Sequence, residues 1–238
     1  MPATTVVADN LAAVRHQITE AAARAGRPSA DIRLVAVSKT FGPERVRDAA
    51  AAGQVAFGEN RVQEGLDKIE TLADLGLEWH LIGHLQTNKA KRAAATFPWI
   101  HTIDSRGLLT RLDRAAIEFD TKPNVLIQVD LAHESTKHGA DEAALLDLVT
   151  AAADARAVRL RGLMLLPPFS DDPEASRPWF RRLRDLRDRL VAGGIPSDRL
   201  AELSMGMSHD FAVAIEEGAS IVRVGTAVFG RRTPPAKT

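Results

Sequence analysis

Ile32-Arg33-Leu34-Val35-Ala36-Val37-Ser38-Lys39-Thr40-Phe41-Gly42-Pro43 is the stretch whose reading decides the fold. Its first half is rich in branched aliphatics and its second half in turn formers, the pattern of a strand buried on both faces in a helix-covered parallel sheet. Pro43 then suits the first turn of a helix, which closes near Gly53. Lys39 therefore stands at the carboxyl end of a strand, where barrels and open α/β sheets bind ligands. A lysine in an apolar mouth can lose its proton and attack a carbonyl; the same residue alone also reads as a solvated loop lysine.

The strand-then-helix order recurs on both sides of this segment. Upstream lies an extra helix with Leu11, Val14, Ile18 and Ala22 on one face, Asp9 or Asn10 as cap and Gly26 as its end. Downstream, strands are expected at 55–58, 79–83, 99–103, 125–129, 160–165, 203–205 and 221–224, and every strand except the last leads into a clear helix. Asp104 or Ser105, Asp141 and Ser208 are the expected caps, and Pro173 opens the long helix that Gly193-Gly194 stops. Eight such strands predict a single-domain (β/α)₈ TIM-type barrel with an additional N-terminal helix, over residues 1–230. Residues 231–238 read as a disordered tail. A doubly wound sheet is the alternative, weakened because the first strand is not followed by Gly-x-Gly-x-x-Gly and the chain has no Gly-x-x-x-x-Gly-Lys.

Composition narrows the function. Lysine plus arginine equals aspartate plus glutamate at 31 each, so no basic excess points to nucleic acid or anionic lipid. With no cysteine, thiolate metal sites, disulfides and cysteine nucleophiles are excluded, and with no long apolar segment or leader pattern a cytoplasmic protein is expected. His80 and His84 are four apart on a strand, which does not make the helical metal pair, so no metal is expected. His133, Lys137 and His138 cluster in a loop and read as solvent-facing. The six arginines and two aspartates of 177–190 read as the solvated side of a barrel helix.

Lys39, Glu59, Asn60, His84, Asp104, Asp130, His133, Ser204 and Arg223 all fall at or just beyond expected strand ends, which a barrel gathers into one mouth. Ser204-Met205-Gly206-Met207-Ser208 leaves strand seven and Arg223-Val224-Gly225-Thr226 leaves strand eight. Hydroxyls, glycines and exposed N–H groups after those two strands suit a phosphate, although ordinary turn chemistry explains them too. A Schiff-base lysine opposite a phosphate cradle describes a pyridoxal phosphate site.

These residues lie in segments that resemble, in order and over nearly the whole chain, the pyridoxal phosphate homeostasis proteins, relatives of the barrel half of alanine racemase. The segments are LVAVSKT (34–40), FGENRVQE (57–64), WHLIGHLQTNKAK (79–91), ESTKHG (134–139), RGLMLLPP (161–168), LSMGMSHDFAVAI (203–215) and VRVGTAVFG (222–230). The resemblance implies that Lys39 forms a covalent aldimine with pyridoxal 5'-phosphate and that Arg223 faces the pyridine nitrogen. It further implies that Ser204, Ser208, Gly225 and Thr226 hold the phosphate, with Gly206 allowing close approach and Asn60 nearby. Arg61 departs from the tyrosine often found in this family.

A guanidinium only donates, so Arg223 leaves a pyridine nitrogen unprotonated and the ring a poor electron sink. The related racemase uses a tyrosine base, and this chain has no tyrosine. The expected function is therefore to bind, buffer and deliver the cofactor, transiently meeting apoenzymes and acting as a monomer, as resemblance suggests. A racemase or a Schiff-base aldolase acting on a sugar phosphate are the alternatives.

Overall fold

The computed structural model describes residues 3–132 and 138–230, so His133, Lys137 and the 231–238 tail lie outside the described residues. The strands are β1 (Arg33–Val37), β2 (Ala56–Glu59), β3 (Glu78–Leu81), β4 (Trp99–Ile103), β5 (Asn124–Val129), β6 (Arg159–Leu165), β7 (Glu202–Ser204) and β8 (Ile221–Val224). All neighbours pair in parallel, and β8 pairs back onto β1 to close the barrel. The helices are α1 (Ala3–Arg24), α2 (Pro43–Ala51), α3 (Val62–Thr71), α4 (Ala90–Thr96), α5 (Arg106–Glu118), α6 (Glu142–Ala153), α7 (Arg177–Ala192), α8 (Phe211–Glu216) and α9 (Thr226–Phe229). The expected (β/α)₈ fold with an extra N-terminal helix is the observed one. Among the described residues no helix is long and apolar enough to cross a membrane.

Side chains alternate along each strand between two cores. The larger core lies between the strands and helices, and joins Leu11, Val14 and Ile18 of α1 to Leu81, Ile100, Leu112, Val149, Phe180 and Val222. A smaller one fills the barrel interior with Val35, Ala56, Trp99, Leu126, Met164 and Ile221. The interior also holds His80, His101, Ser204 and Arg223, all buried.

Several local expectations change. α1 begins at Ala3, because its apolar stripe extends back through buried Val7. Asp9 and Asn10 are therefore inside the helix, and the Asn10 amide instead donates to Val228 O of α9 at 3.0 Å. Strand β8 is followed by the one-turn α9. Ser105 and Asp141 are caps as expected, accepting from Leu108 N and Ala144 N. Ser208 is not: Asp210 occupies the cap position of α8, and its carboxylate accepts from Met207 N at 2.6 Å. The arginine side of α7 is largely exposed at Arg181, Arg182 and Arg189, while Arg177, Arg181 and Arg184 all bond the buried Glu217 carboxylate.

Strand β6 passes β7 with no room for a side chain at Gly162, where a Cβ would sit 1.8 Å from Glu202 O. Gly162→Ala is expected to push these backbones apart and cost about 2 kcal/mol or more, read as a lower urea midpoint without loss of the folded baseline.

Candidate functional site at the barrel mouth

Lys39 follows β1 at the carboxyl end of the barrel and is partly buried. Its turn is clamped on both sides by charged residues of β2 and α3. The Lys68 ammonium, nearly buried, donates to Ser38 O at 2.7 Å, Glu59 Oε1 at 2.6 Å and Glu64 Oε1 at 2.9 Å. The Ser38 hydroxyl donates to Glu59 Oε1 at 2.7 Å, and Thr40 N donates to Glu64 Oε1 at 2.5 Å. Thr40 has φ +69°, a left-handed conformation that β-branched residues avoid, so the clamp holds the turn against its local preference. Glu59 Oε2, fully buried, has no hydrogen-bond partner among the described residues.

On the neighbouring strand, Arg223 lies on the β8 position that pairs with Val35 of β1. Its Nη1 donates to Ser204 Oγ at 2.6 Å and its Nη2 to Leu165 O at 2.9 Å. Burial lowers its pKa to about 10, with Asp210 opposing, so at neutral pH it remains a cation. The Ser208 hydroxyl accepts from Gly225 N at 3.2 Å and Ala227 N at 3.3 Å, tying the loop after β7 to the start of α9. An oxygen acceptor thus already sits where these two N–H groups converge. Gly206, at φ +92°, packs so tightly on Phe211 that a Cβ would lie 2.9 Å from its Cα. A Cβ at Gly225 would lie 3.3 Å from Val37 O, so the backbone passes close to β1 there. Thr226 is exposed beside Gly225, and Asn60 follows β2 with its backbone against Gly83.

Ser208, Gly225 and Thr226 are therefore brought together, whereas Ser204 is not part of that group. Its hydroxyl is fully buried behind Arg223 and bonds the His101 ring at 2.9 Å. On the opposite rim, His84, Asp104 and His138 cluster, with the two imidazoles stacked at 3.6 Å and His84 Nδ1 3.4 Å from Asp104. One ligand atom from each of these three side chains lies within 4.8 Å of the others, a grouping that could hold a metal ion.

Residues 10–233 match the alanine racemase N-terminal domain family. A pyridoxal phosphate homeostasis protein of Aquifex aeolicus is 44% identical over 224 residues, 94% of this chain and 97% of its own length. One from Escherichia coli is 44% identical over 233 residues, 95% of this chain and 97% of its own. The chain belongs to the pyridoxal phosphate homeostasis protein family. Among solved relatives, PipY of Synechococcus elongatus superposes with TM-scores of 0.86 without and 0.84 with pyridoxal phosphate bound. The identities are 41% and 40%, and each comparison covers 94% of this chain and 100% of PipY. Alanine racemase from Corynebacterium glutamicum shares the fold at 20% identity and TM-score 0.70, over 99% of this chain and 64% of the racemase.

Two parts of this family member's site were not read from sequence. Lys68 shares the buried stripe of α3 with Val62 and Gly65, and a lysine at such spacing is the available signal. His80 and His101 occupy inward positions of strands, a signal that carries weight only once the barrel is closed.

Two outcomes are expected. Lys68→Met strands the buried Glu59 charge and should cost about 3–5 kcal/mol in urea denaturation, much of it regained by adding Glu59→Leu. Burial holds His80 and His101 below the ordinary imidazole range, with Glu78 offsetting part of this at His80. Unfolding then takes up protons below about pH 6.5, so stability is complete above that pH and declines as pH falls through it. A urea midpoint measured from pH 7.5 to 5 should drop accordingly. Glu78, held below the usual carboxylate range by the His80 hydrogen bond, adds a further loss below about pH 4.3.

Proposed function

We propose that this protein binds pyridoxal 5'-phosphate, holds it reversibly through Lys39, and takes part in its intracellular homeostasis by buffering and delivery. The observation that carries this reading is the geometry of the mouth: a lysine on a clamped turn after β1, faced by a buried guanidinium on β8 beside converging backbone N–H groups. The donor set fits the ligand. Lys39 would hold the cofactor's aldehyde through its amine, and Ser208, Gly225 and Thr226 would hold the phosphate, with Gly206 shaping their loop and Asn60 nearby. The cofactor supplies an aldehyde and a pyridine ring able to withdraw electrons from a bound amine.

Arg223 decides how much of that capacity is used. It donates and never accepts, and among the described residues its hydrogen-bond partners are a hydroxyl and a carbonyl, not a carboxylate. A ring nitrogen facing it stays unprotonated, which disfavours carbanion chemistry. Together with the absence of tyrosine, this supports holding over turnover. The curated relatives quoted above are named homeostasis proteins, not enzymes. The protein then acts in the cytoplasm as a monomer, meeting recipient apoenzymes only transiently.

Purified protein given pyridoxal phosphate is expected to develop a visible absorption band that borohydride abolishes, leaving a modified peptide that contains Lys39. Lys39→Ala should lose both band and modification. A band retained by Lys39→Ala, or optical inversion of an L-amino acid at enzyme-like rates, counts against this reading.

A further inference from the structure

The barrel interior contains a hydrogen-bonded chain that none of the binding roles above uses. Arg223 Nη1 lies 2.6 Å from Ser204 Oγ, which lies 2.9 Å from His101 Nδ1. His101 Nε2 lies 2.8 Å from His80 Nδ1, and His80 Nε2 lies 2.9 Å from Glu78 Oε1. Ser204, His101, His80 and Arg223 are each 3% exposed or less. Glu78 is partly exposed and lines a cleft of about 470 Å³ with Arg15, Arg33 and Gln54, at the amino ends of β1 to β3. The chain therefore crosses the barrel from the mouth to the opposite face. Barrels of this kind commonly fill such positions with branched aliphatics, and polar groups there cost free energy unless each is bonded.

The two ends dictate a direction. Arg223 can only donate, and an ionised Glu78 can only accept. With both imidazoles neutral, one arrangement satisfies every link: Arg223 donates to Ser204, Ser204 to His101 Nδ1, His101 Nε2–H to His80 Nδ1, and His80 Nε2–H to Glu78. A second proton on the buried His80 occupies Nδ1 and reverses the middle of the chain. His80 then donates to His101 Nε2, the single His101 hydrogen moves from Nε2 to Nδ1 and is donated to Ser204, and the Ser204 O–H turns away from His101. Ser204 is the group on which Arg223 rests.

We propose that Ser204, His101, His80 and Glu78 are positioning residues for Arg223, and that this chain transmits protonation at the His80–Glu78 end of the barrel to the ligand's ring at the mouth. This rests on the pyridoxal phosphate reading and adds a pH response to it. At the mouth end Asp210 acts on Arg223, favouring its charge. Trp99 Nε1 donates to Glu78 Oε2 at 3.3 Å, and the Arg33 guanidinium lies 3.8 Å from Glu78 Oε1 and 4.7 Å from the centre of the Trp99 ring. Burial and Arg33 oppose a proton on His80, while Glu78 and Glu202 favour one. At His101 burial, His80, Arg223 and Arg33 all oppose it, so His80 is the ring that takes the proton.

The test has two readouts. In ligand-free protein, nitrogen-15 spectra should show both buried rings protonated at Nε2 at pH 8, with His80 gaining a second proton before His101 on acidification. With pyridoxal phosphate bound, the visible band should shift with a midpoint below pH 6.5. Glu78→Gln should lower that midpoint by about one pH unit or more. Ser204→Ala and His101→Phe should abolish this pH-dependent shift while the band persists, and Ser204→Thr should restore it. An Nδ1–H tautomer on either ring at pH 8, or a pH dependence identical in Glu78→Gln, overturns the proposal. Absence of any band in the unaltered protein overturns the cofactor reading itself, whereas a band indifferent to these variants overturns only the coupling.

Discussion

Pairing of β8 onto β1 closes the sheet, aligning Arg33 with Ile221 and Val35 with Arg223 across almost the entire length of the chain. Until that ladder forms, Lys39 and Arg223 share no surroundings, because they lie on the first and last strands. Closure also gives the chain an inside, so that alternate residues of each strand must be either apolar or hydrogen-bonded to one another. The mouth, the clamp beneath Lys39 and the polar interior all follow from this one constraint. α1 reinforces it from outside, packing on α2, α8 and α9 and bonding Val228 through Asn10.

The site is held by charges placed where water does not reach. Lys68 and Glu59 stabilise the Lys39 turn because the ammonium is shared among a carbonyl and two carboxylates, although burial still pushes the Glu59 carboxyl above its ordinary range. Arg223 has a different solution, with neutral partners and a lowered pKa that still leaves it protonated near neutrality. A buried cation with neutral partners suits a neighbour that accepts hydrogen bonds without carrying protons. That chemistry underlies the proposal that this barrel binds pyridoxal phosphate for holding and not for turnover.

Much of the fold was legible because its signals are local. Aliphatic runs such as Val125–Val129 and Leu160–Leu165 state buried strands, and Ser105, Asp141 and Pro173 mark helix starts within a few residues of where they occur. Errors arose where a distant partner outbid a local one. Ser208 looks like a cap, but its hydroxyl is taken by the amides of Gly225 and Ala227, and Asp210 stands at the cap position with its carboxylate on Met207 N. Ser204, on the inward face of β7, meets Arg223 and His101, partners that no local pattern announces. Asn10 looks like a start signal and is an interhelical contact.

From the sequence alone came the number and order of strands, the extra helix, and the positions of Lys39, Asn60 and Arg223 at strand ends. These depend on periodicity and turn chemistry, which act over a few residues. The tertiary structure decided which polar groups meet: Lys68 with Glu59 and Glu64 under Lys39, Ser208 with Gly225, and Arg223 with Ser204 at the head of a chain through two histidines to Glu78. Those meetings are set by barrel closure and strand register, which bring together residues far apart in the chain, and no local pattern encodes them.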